Sequence, residues 1–459
     1  MQIIDQSIFR AYDIRGIAGV TLTEETVMLI GKAIGSLALE QNVNQIVIAR
    51  DGRFSGPLLS RALSSGILAT GCHVTDLGMV PTPLLYYAAT VSRGHSGVML
   101  TGSHNPPEYN GLKMIINGKT LTEDAIKALY ERIIHSQFSD GEGQYQQQDM
   151  IQDYLDRFLQ NISLKRKLRI VIDAGNGVTG FIAPLLFQRL GCEVHELFCD
   201  VDGAFPNHHP DPSDPHNLQD LIYAVREKKA DVGLAFDGDG DRLGVVTSEG
   251  EIIWPDRLLM LFAEEVLTKQ PGAKIIYDVK CTHHLQDHIL ARGGEPLMWK
   301  TGHSFIKAKL AETKAPLAGE MSGHFFFGDR WYGFDDALYA GARLLELISA
   351  QKEPSHYLLD AMPNSVNTAE LKVLVNEAEK FNLMQQLIDC ARFQEAKEVV
   401  SIDGLRINFH EGWGLIRPSN TTPYLILRFE ALNEAVLFKI QNLFREWMLS
   451  VKPDFVLPF

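Results

Sequence analysis

The sequence predicts an α/β protein with three related α/β mixed-sheet domains, followed by a smaller antiparallel α+β domain. Three runs rich in β-branched residues are typical of buried strands that stop abruptly: QIVIARDGR from 45, RIVIDAGNG from 169 and KIIYDVKCT from 274. Each is followed by a helical stretch and a Gly-led second strand, GCHV, GCEV and GGEP. A further strand then ends in an unusual loop, in SGVMLTGSHNP, DVGLAFDGDGD and APLAGEMSGH. The same order of elements recurring three times indicates repeated domains.

The last quarter of the chain has a different pattern. Asp403-Gly404 lies between two alternating runs, which predicts a hairpin. WGLIR and YLILRFEA flank the loop RPSNTTP, and a helical segment follows from Asn433 to Leu449. Weak boundaries near 150, 253 and 365 predict domains at 1–150, 151–252, 253–364 and 365–459. The sequence between them has no low-complexity linker, so we expect close packing.

Composition narrows the classes of function. The 459 residues suffice for two to four domains, and no apolar run approaches the roughly 18–20 residues of a membrane span. The first residues lack the pattern of a signal peptide, and the scattered, odd-numbered cysteines best fit a reducing, cytoplasmic setting. The formal charge of −14 argues against nucleic-acid binding, and an anionic substrate would need local clusters of Arg and Lys. Five scattered cysteines indicate neither disulfides nor a zinc site: Cys72, Cys192, Cys199, Cys281 and Cys390.

The motif DGDGDR places Asp237, Asp239 and Asp241 at alternate positions directly after the apolar run VGLAF. Its glycines let the backbone curl so that the three carboxylates converge, and all-oxygen ligands suit Mg²⁺ or Ca²⁺. An EF-hand loop needs Gly at its sixth position and Glu at its twelfth, but those positions hold Arg242 and Ser248. The motif therefore predicts a different kind of divalent-cation site, with a solvated acidic turn as the alternative.

The motif TGSHNP offers a candidate nucleophile, Ser103, next to the imidazole of His104. Alone, this motif is weak evidence for a nucleophile, because Ser, Asn and Pro are ordinary turn-forming residues.

Two further loops have chemistry suited to a sugar phosphate. RPSNTTP offers the guanidinium of Arg417 beside several hydroxyls, which suits a phosphate group, although a polar hairpin loop has the same composition. In GEMSGH, the side chains of Glu320, Ser322 and His324 could hydrogen-bond sugar hydroxyls.

A match to GxGxxG at Gly175, Gly177 and Gly180 follows the first strand of the second repeat, and Asp200 lies twenty residues further on. This pattern favours an NAD-dependent dehydrogenase. The equivalent turns of the other two repeats lack it, so we interpret it as a tight strand-to-helix turn.

Taken together, these loops resemble those of the α-D-phosphohexomutases over nearly the whole chain, from RAYDIRG at 10–16 to RPSNTTP. AYDIRG, TGSHNP, GEMSGH and SNTTP are similar to the bacterial phosphomannomutase/phosphoglucomutase branch, whereas phosphoglucosamine mutases usually differ in the first and last motifs. One departure is Ala337, in DDALY at an expected helix start, where the family would have Gly.

The resemblance implies four domains around a central cleft: a phosphoserine, a metal-binding, a sugar-recognition and a phosphate-binding domain, in chain order. It implies that Ser103 is the phosphoserine and that Mg²⁺ is bound by Ser103, Asp237, Asp239 and Asp241. The remaining implied site residues are sugar contacts from Glu320 and Ser322, with Lys280 and His303 nearby; phosphate contacts from Arg417, Ser419, Asn420 and Thr421; and the transfer-site residues Tyr12, Arg15, His104, Lys113 and Arg242.

The implied activity is reversible transfer of a phosphoryl group between the 1- and 6-positions of mannose or glucose phosphates. The intermediate, hexose 1,6-bisphosphate, must turn end for end between two transfers. Lys113 and His104 are both candidates for the general base. The implied partners are small hexose phosphates, with no nucleic acid or membrane, and the chain is expected to be a monomer, with a weak dimer as the alternative. Alternative functions are a phosphoglucosamine mutase, a metal-dependent sugar phosphatase and the dehydrogenase.

Overall fold

The computed structural model describes residues 4–419 and 422–459, which form three α/β units with one strand order and an antiparallel C-terminal unit. In each α/β unit the strand that begins the repeat, at residue 45, 169 or 274, lies between the next two strands along the chain and is parallel to both. A fourth strand pairs antiparallel with the later of these two strands. The predicted fold class is therefore confirmed.

The first unit has a sheet in the order β1-β5-β4-β2-β3-β7, with β6 paired to β5. Its strands are β1 (Ile14–Ile17), β2 (Gln45–Arg50), β3 (His73–Met79), β4 (Gly97–Leu100), β5 (Tyr109–Ile116), β6 (Lys119–Thr120) and β7 (Tyr145–Gln147). Its helices are α1 (Glu24–Glu40), α2 (Gly56–Leu68), α3 (Thr82–Val91) and α4 (Glu123–Ile134).

The second and third units are smaller, with sheets in the orders β12-β11-β10-β8-β9 and β14-β13-β15-β16. The second unit contains α5 (Ile151–Leu159), β8 (Arg169–Asp173), α6 (Ala183–Arg189), β9 (Glu193–Leu197), α7 (Gln219–Lys228), β10 (Val232–Phe236), β11 (Leu243–Thr247) and β12 (Ile252–Ile253). The third contains α8 (Pro255–Lys269), β13 (Lys274–Asp278), α9 (His283–Ala291), β14 (Glu295–Trp299), α10 (His303–Thr313), β15 (Leu317–Gly319), β16 (Phe325–Phe327), α11 (Ala337–Ala350) and α12 (Ser355–Asp360).

The C-terminal unit is an antiparallel sheet in the order β17-β22-β21-β20-β19, with β18 also paired to β22. Its elements are β17 (Val366–Asn367), β18 (Leu371–Leu374), α13 (Lys380–Cys390), β19 (Glu398–Val400), β20 (Leu405–Asn408), β21 (Gly412–Pro418), β22 (Tyr424–Ala431) and α14 (Glu434–Val451). The predicted hairpin is confirmed, since β19 and β20 pair antiparallel and Gly404 takes a φ of 75° in their turn.

The strands β2, β8 and β13 occupy equivalent positions in the three units, and each ends at or just before an aspartate that makes the same hydrogen bond. Asp51 follows β2 directly, and Asp173 and Asp278 are the last residues of β8 and β13. In each case the main-chain N–H two residues later donates to the carboxylate, at 3.0, 2.9 and 3.1 Å. This contact turns the chain sharply at the strand end and so shapes the edge of the sheet where the motif loops lie.

One hydrophobic cluster contains residues of all three α/β units. The buried helix α11 packs against β10 and β11 of the second sheet and against β16 of the third. Trp331 stacks on Tyr339 with ring centroids 4.5 Å apart, and Tyr87 of the first unit lies 6.4 Å from Trp331. Such shared burial supports a fixed arrangement of the units. Among the described residues, no helix is long and apolar enough to cross a membrane.

Candidate active site

Three motif loops occupy equivalent positions in the three α/β units. TGSHNP lies between β4 and β5, DGDGDR between β10 and β11, and GEMSGH between β15 and β16. Each loop therefore follows the carboxyl end of the third parallel strand, the edge at which open α/β sheets usually bind ligands.

Ser103 is buried, with 2% of its surface exposed, and its Oγ lies 2.8 Å from Asp237 Oδ2 in the second unit. The Nδ1 atom of His104 lies 3.1 Å from the same Oγ. Ser103 has a left-handed φ of 49°, which is uncommon for a residue with a side chain. The loop therefore holds the hydroxyl in one orientation, toward the carboxylates of the neighbouring unit.

The three aspartates converge as their spacing predicted, with one oxygen from each within 4.8 Å of the others. Asp237 Oδ1 accepts hydrogen bonds from the main-chain N–H groups of Gly240, Asp241 and Arg242 at 3.0–3.1 Å. Asp239 Oδ2 accepts from Thr82 at 2.5 Å, whereas its Oδ1 is buried with no hydrogen-bond partner among the described residues. An unpartnered buried oxygen beside two further carboxylates fits a hard divalent cation.

Lys113 supplies the nearest positive charge to this cluster. Its Nζ donates to Asp239 Oδ2 at 2.7 Å and also to Asp241. Burial opposes its charge, but the three carboxylates outweigh burial and raise the pKa of Lys113. Burial and repulsion by Asp239 and Asp241 raise the pKa of Asp237 well above its usual range. The raised pKa of Asp237 reflects the crowding of three carboxylates, which a bound cation would relieve.

Further positive charge surrounds Ser103. Arg15 donates to Asn105 in the same loop and to Asp13, both at 2.5 Å. Burial lowers the pKa of Arg242, but neighbouring carboxylates outweigh this effect and raise it overall. Burial and these two arginines lower the pKa of His104 well below its usual range, so its imidazole is neutral near pH 7.

The residues expected to contact sugar form a second group. Glu320 Oε1 accepts from the main-chain N–H of Gly302 at 2.6 Å, and Ser322 Oγ lies 2.8 Å from His324 Nδ1. His324 also lies 3.3 Å from Asp241, so it joins the sugar loop to the aspartate loop. The ring of His303 stacks at 5.5 Å from that of His324. The ring of Tyr12, from the first unit, lies 5.5 Å from that of His303 in an edge-to-face arrangement.

Two buried cations bring the C-terminal unit into the site. Arg417 Nε donates to Asp403 at 2.9 Å, and Lys280 Nζ donates to Glu370 at 2.7 Å. Ser419 Oγ accepts from the hydroxyl of Thr422 at 2.7 Å. The predicted phosphate contacts Asn420 and Thr421 lie outside the described residues.

Sequence reasoning missed Arg53, whose side chain is completely buried beneath the serine loop. Its Nε donates to Asp51 at 3.1 Å, and its guanidinium lies 5.1 Å from the ring of Phe205 in the second unit. A Cβ on Gly102 would lie 2.4 Å from its Cζ, so the glycine in TGSHNP makes room for this guanidinium. The sequence DGR, directly after β2, draws attention to Arg53. It does not indicate that the guanidinium would bind main-chain carbonyls.

His303 is held by a pair that the motifs also did not indicate. Lys307 Nζ donates to Asp335 at 2.7 Å, and the same carboxylate lies 3.5 Å from His303 Nδ1. Ala337 does begin α11, where Asp336 caps the helix by accepting from the N–H of Tyr339 at 2.9 Å.

The GxGxxG turn has a packing role. A Cβ on Gly177 would lie 2.9 Å from the carbonyl of Gly238, and the N–H of Val178 donates to that carbonyl at 3.1 Å. The glycines therefore let this turn approach the aspartate loop closely. The dehydrogenase interpretation loses the feature on which it depended.

Fold and site together define a metal-dependent enzyme that acts on phosphorylated sugars. Family profiles described as phosphoglucomutase/phosphomannomutase alpha/beta/alpha domains I, II and III match residues 6–140, 152–250 and 254–366, and the profile of the C-terminal domain matches 370–446. The chain belongs to the phosphoglucomutase/phosphomannomutase family and is a hexose phosphate mutase, an isomerase.

Relatives of this chain carry closely related names. A phosphomannomutase/phosphoglucomutase of Pseudomonas putida is 52% identical, over 99% of this chain and 98% of the relative. A phosphoglucomutase of Neisseria gonorrhoeae is 51% identical, over the whole of both chains. The crystal structure of a phosphoglucomutase/phosphomannomutase family protein from Burkholderia thailandensis matches with a TM-score of 0.95 and 54% identity, over the whole of both chains.

Proposed function

We propose that this mutase transfers the phosphoryl group through Ser103, using mannose and glucose phosphates as substrates and hexose 1,6-bisphosphate as the intermediate. The observation that carries the proposal is the buried Ser103 hydroxyl, 2.8 Å from Asp237 and facing three convergent carboxylates. Ser103, Asp237, Asp239 and Asp241 would hold Mg²⁺, which supplies charge neutralisation and polarises phosphate oxygens.

The reaction consists of two transfers. In the first, the bond between Ser103 Oγ and phosphorus breaks, a bond from the free sugar hydroxyl to phosphorus forms, the hydroxyl proton passes to a base, and Ser103 Oγ takes up a proton. In the second, after the bisphosphate has turned end for end, its other oxygen–phosphorus bond breaks, and Ser103 Oγ gives up its proton and receives that phosphoryl group. The sugar oxygen released in this step takes back a proton, so protons and phosphoryl groups balance.

The position of His104 favours it over Lys113 as the base. Its Nδ1 lies 3.1 Å from Ser103 Oγ, the oxygen that gives and receives the phosphoryl group, whereas the Lys113 ammonium already donates to Asp239 and Asp241. Arg15 and Arg242 would stabilise charge on the transferring group.

The second phosphate of the substrate needs a site that accepts either end of the bisphosphate. We assign it to Arg417 and Ser419, with the predicted contacts Asn420 and Thr421, because a buried guanidinium beside hydroxyls suits phosphate. Tyr12, Lys280, His303, Glu320, Ser322 and His324 would line the sugar between the two phosphate sites.

Mannose and glucose phosphates are favoured over glucosamine phosphate. Relatives about 52% identical are named for mannose and glucose, whereas a probable phosphoglucosamine mutase of Methanothermobacter thermautotrophicus is 35% identical. We further propose a monomer in the cytoplasm, a location supported by five cysteines that are all free.

Ser103→Ala tests the proposal, with Ser65→Ala on the exposed face of α2 as the matched control. Intact-mass spectra should show one phosphate fewer in Ser103→Ala than in the native protein, and no such loss in Ser65→Ala. Turnover of mannose 1-phosphate by Ser103→Ala should fall to near background. Retained phosphate and full activity would refute the role of Ser103. Hydrolysis of added bisphosphate outpacing isomerisation would instead favour a phosphatase.

A further inference from the structure

A second cluster of metal-ligating side chains lies at the joint between the third α/β unit and the C-terminal unit. His283 and His284 begin α9, and Glu430 lies near the end of β22. One nitrogen from each imidazole and one carboxylate oxygen lie within 4.8 Å of one another. His283 and Glu430 are 147 positions apart in the chain, so only the packing of the two units brings them together.

The contacts within this cluster fix its anionic ligand. Glu430 is 1% exposed, and its Oε1 lies 2.7 Å from both His283 Nδ1 and the hydroxyl of Thr282. The side chain of His283 is 37% exposed, which gives solvent access from one side. His284 Nε2 lies 2.5 Å from Ser365 Oγ, in the segment that connects the two units.

Charged side chains from both units surround this cluster. The main-chain N–H of Thr282, next to His283, donates to Asp256 at 2.9 Å. Asp256 adds a nearby negative charge, balanced by Arg428 at 3.5 Å.

We propose that His283, His284 and Glu430 form a binding site for a transition-metal dication such as Zn²⁺. Two imidazoles and one carboxylate are a common three-ligand set for Zn²⁺, whereas Mg²⁺ prefers oxygen ligands only. Water entering at the exposed edge of His283 would be the fourth ligand.

The ion would replace the hydrogen bond between His283 Nδ1 and Glu430 Oε1. Ligand atoms of tetrahedral Zn²⁺ lie about 3.3 Å apart at bond lengths of about 2.0 Å, so these two atoms need to separate by only about 0.6 Å.

Such an ion would stabilise the contact between the two units. The same joint contains Arg406, whose guanidinium donates to the carbonyls of Val279 and Cys281 at 2.6 and 2.7 Å. These carbonyls flank Lys280, one of the predicted substrate contacts. The metal site would therefore lie next to the sugar site, but none of its three ligands is a predicted substrate contact.

Co²⁺ binding to the full-length chain tests this site. The protein is kept in excess Mg²⁺, which occupies the acidic triad, and Co²⁺ is followed by its visible absorption and displaced by Zn²⁺. We expect one Co²⁺ per chain. His283→Gln and His284→Gln should each weaken binding at least tenfold, whereas His216→Gln, an exposed histidine outside the cluster, should leave it unchanged.

Thermal unfolding gives a second measurement that is independent of mutase activity. Because the ligands come together only in the folded chain, Zn²⁺ should raise the Tm of the native protein and of His216→Gln. It should not raise the Tm of His283→Gln. Absence of Co²⁺ binding in excess Mg²⁺, or equal binding by the native protein and both cluster variants, would overturn the proposal.

Discussion

The guanidinium of Arg53 donates a 2.7 Å hydrogen bond to the main-chain carbonyl of Ser103, the predicted phosphoserine. It also donates to the carbonyls of Asn105, Pro106 and Tyr109 at 2.6, 2.5 and 3.0 Å. One buried cation thus binds four main-chain carbonyls between Ser103 and the start of β5, in the planar fork geometry that only arginine offers. We expect this support to hold Ser103 in its left-handed conformation.

Arg53→Lys should therefore lower kcat far more than it changes KM. Lysine has three donors on one atom and cannot span the same carbonyls, and each buried carbonyl left unpaired costs about 1–3 kcal/mol. We expect kcat to fall by at least about tenfold, with KM nearly unchanged because the guanidinium contacts the loop and no predicted substrate contact. Steady-state kinetics and Tm measure the two effects.

The matched control is Arg61→Lys, on the exposed surface of α2, which should behave like the native protein. A folded Arg53→Ala variant should regain part of its kcat when guanidinium is added at concentrations below those that unfold it. Native kcat in Arg53→Lys would show that the loop holds Ser103 without this residue.

Asp239→Asn should weaken Mg²⁺ binding. The change removes one anionic oxygen ligand and places an amide beside Lys113, whose ammonium lies 2.7 Å from the carboxylate in the native protein. We expect the Mg²⁺ concentration for half-maximal turnover to rise at least about tenfold, or about 1.4 kcal/mol.

The rise in Tm caused by Mg²⁺ should shrink in the same variant, because the ion then favours the folded state less. Asp220→Asn, an exposed aspartate on α7, is the control. Full activity of Asp239→Asn in trace metal would contradict the assignment of Asp239 as a ligand.

The three-unit fold was predictable because buried parallel strands appear in a sequence as short β-branched runs, and because their equivalent loops carry distinct motifs. The convergence of Asp237, Asp239 and Asp241 follows from their spacing within one turn. These features are local, and local patterns suffice to indicate them.

Other features of the site depend on contacts between units and were not predictable. Arg53 binds main-chain carbonyls, which any residue could provide, so no sequence pattern identifies its partners. Lys113 meets Asp239 and Asp241 only because the first unit packs against the second. The placement of Asp335 beside His303 likewise requires α10 and α11 to pack in the observed way.

His208 should make stability depend on pH. Its Nε2 lies 3.0 Å from Asp173 Oδ2; burial lowers its pKa, but the contact with Asp173 outweighs burial and raises the pKa above 6.5. The folded state thus favours the protonated form. This stabilisation is fully present below pH 6.5 and is lost as the pH rises through the folded-state pKa.

The free energy of unfolding, measured by urea denaturation between pH 6 and 9, should therefore fall more steeply for the native protein than for His208→Gln. His216→Gln, which alters an exposed histidine, should parallel the native protein. Parallel curves for all three proteins would show that Asp173 does not favour the charged imidazole.

Glu320→Gln should lower kcat/KM for glucose 1-phosphate and mannose 1-phosphate by similar factors. Glu320 is buried, with Oε1 bound to the N–H of Gly302 at 2.6 Å and Oε2 3.3 Å from His324. The amide can still accept from Gly302 but cannot form a charge-assisted bond to a sugar hydroxyl. Loss of such a bond costs about 1.5–3 kcal/mol, or about 10- to 150-fold in kcat/KM.

The two factors should match because glucose and mannose share their 3- and 4-hydroxyls and differ only at carbon 2. The bisphosphate must also bind in two reversed orientations, so a side chain that read carbon 2 closely would hinder one of them. Glu312→Gln on the exposed side of α10 is the control. A loss of kcat/KM confined to one epimer would mean that Glu320 distinguishes the configuration at carbon 2. Faster turnover of glucosamine 1-phosphate than of either neutral sugar would contradict the proposed specificity.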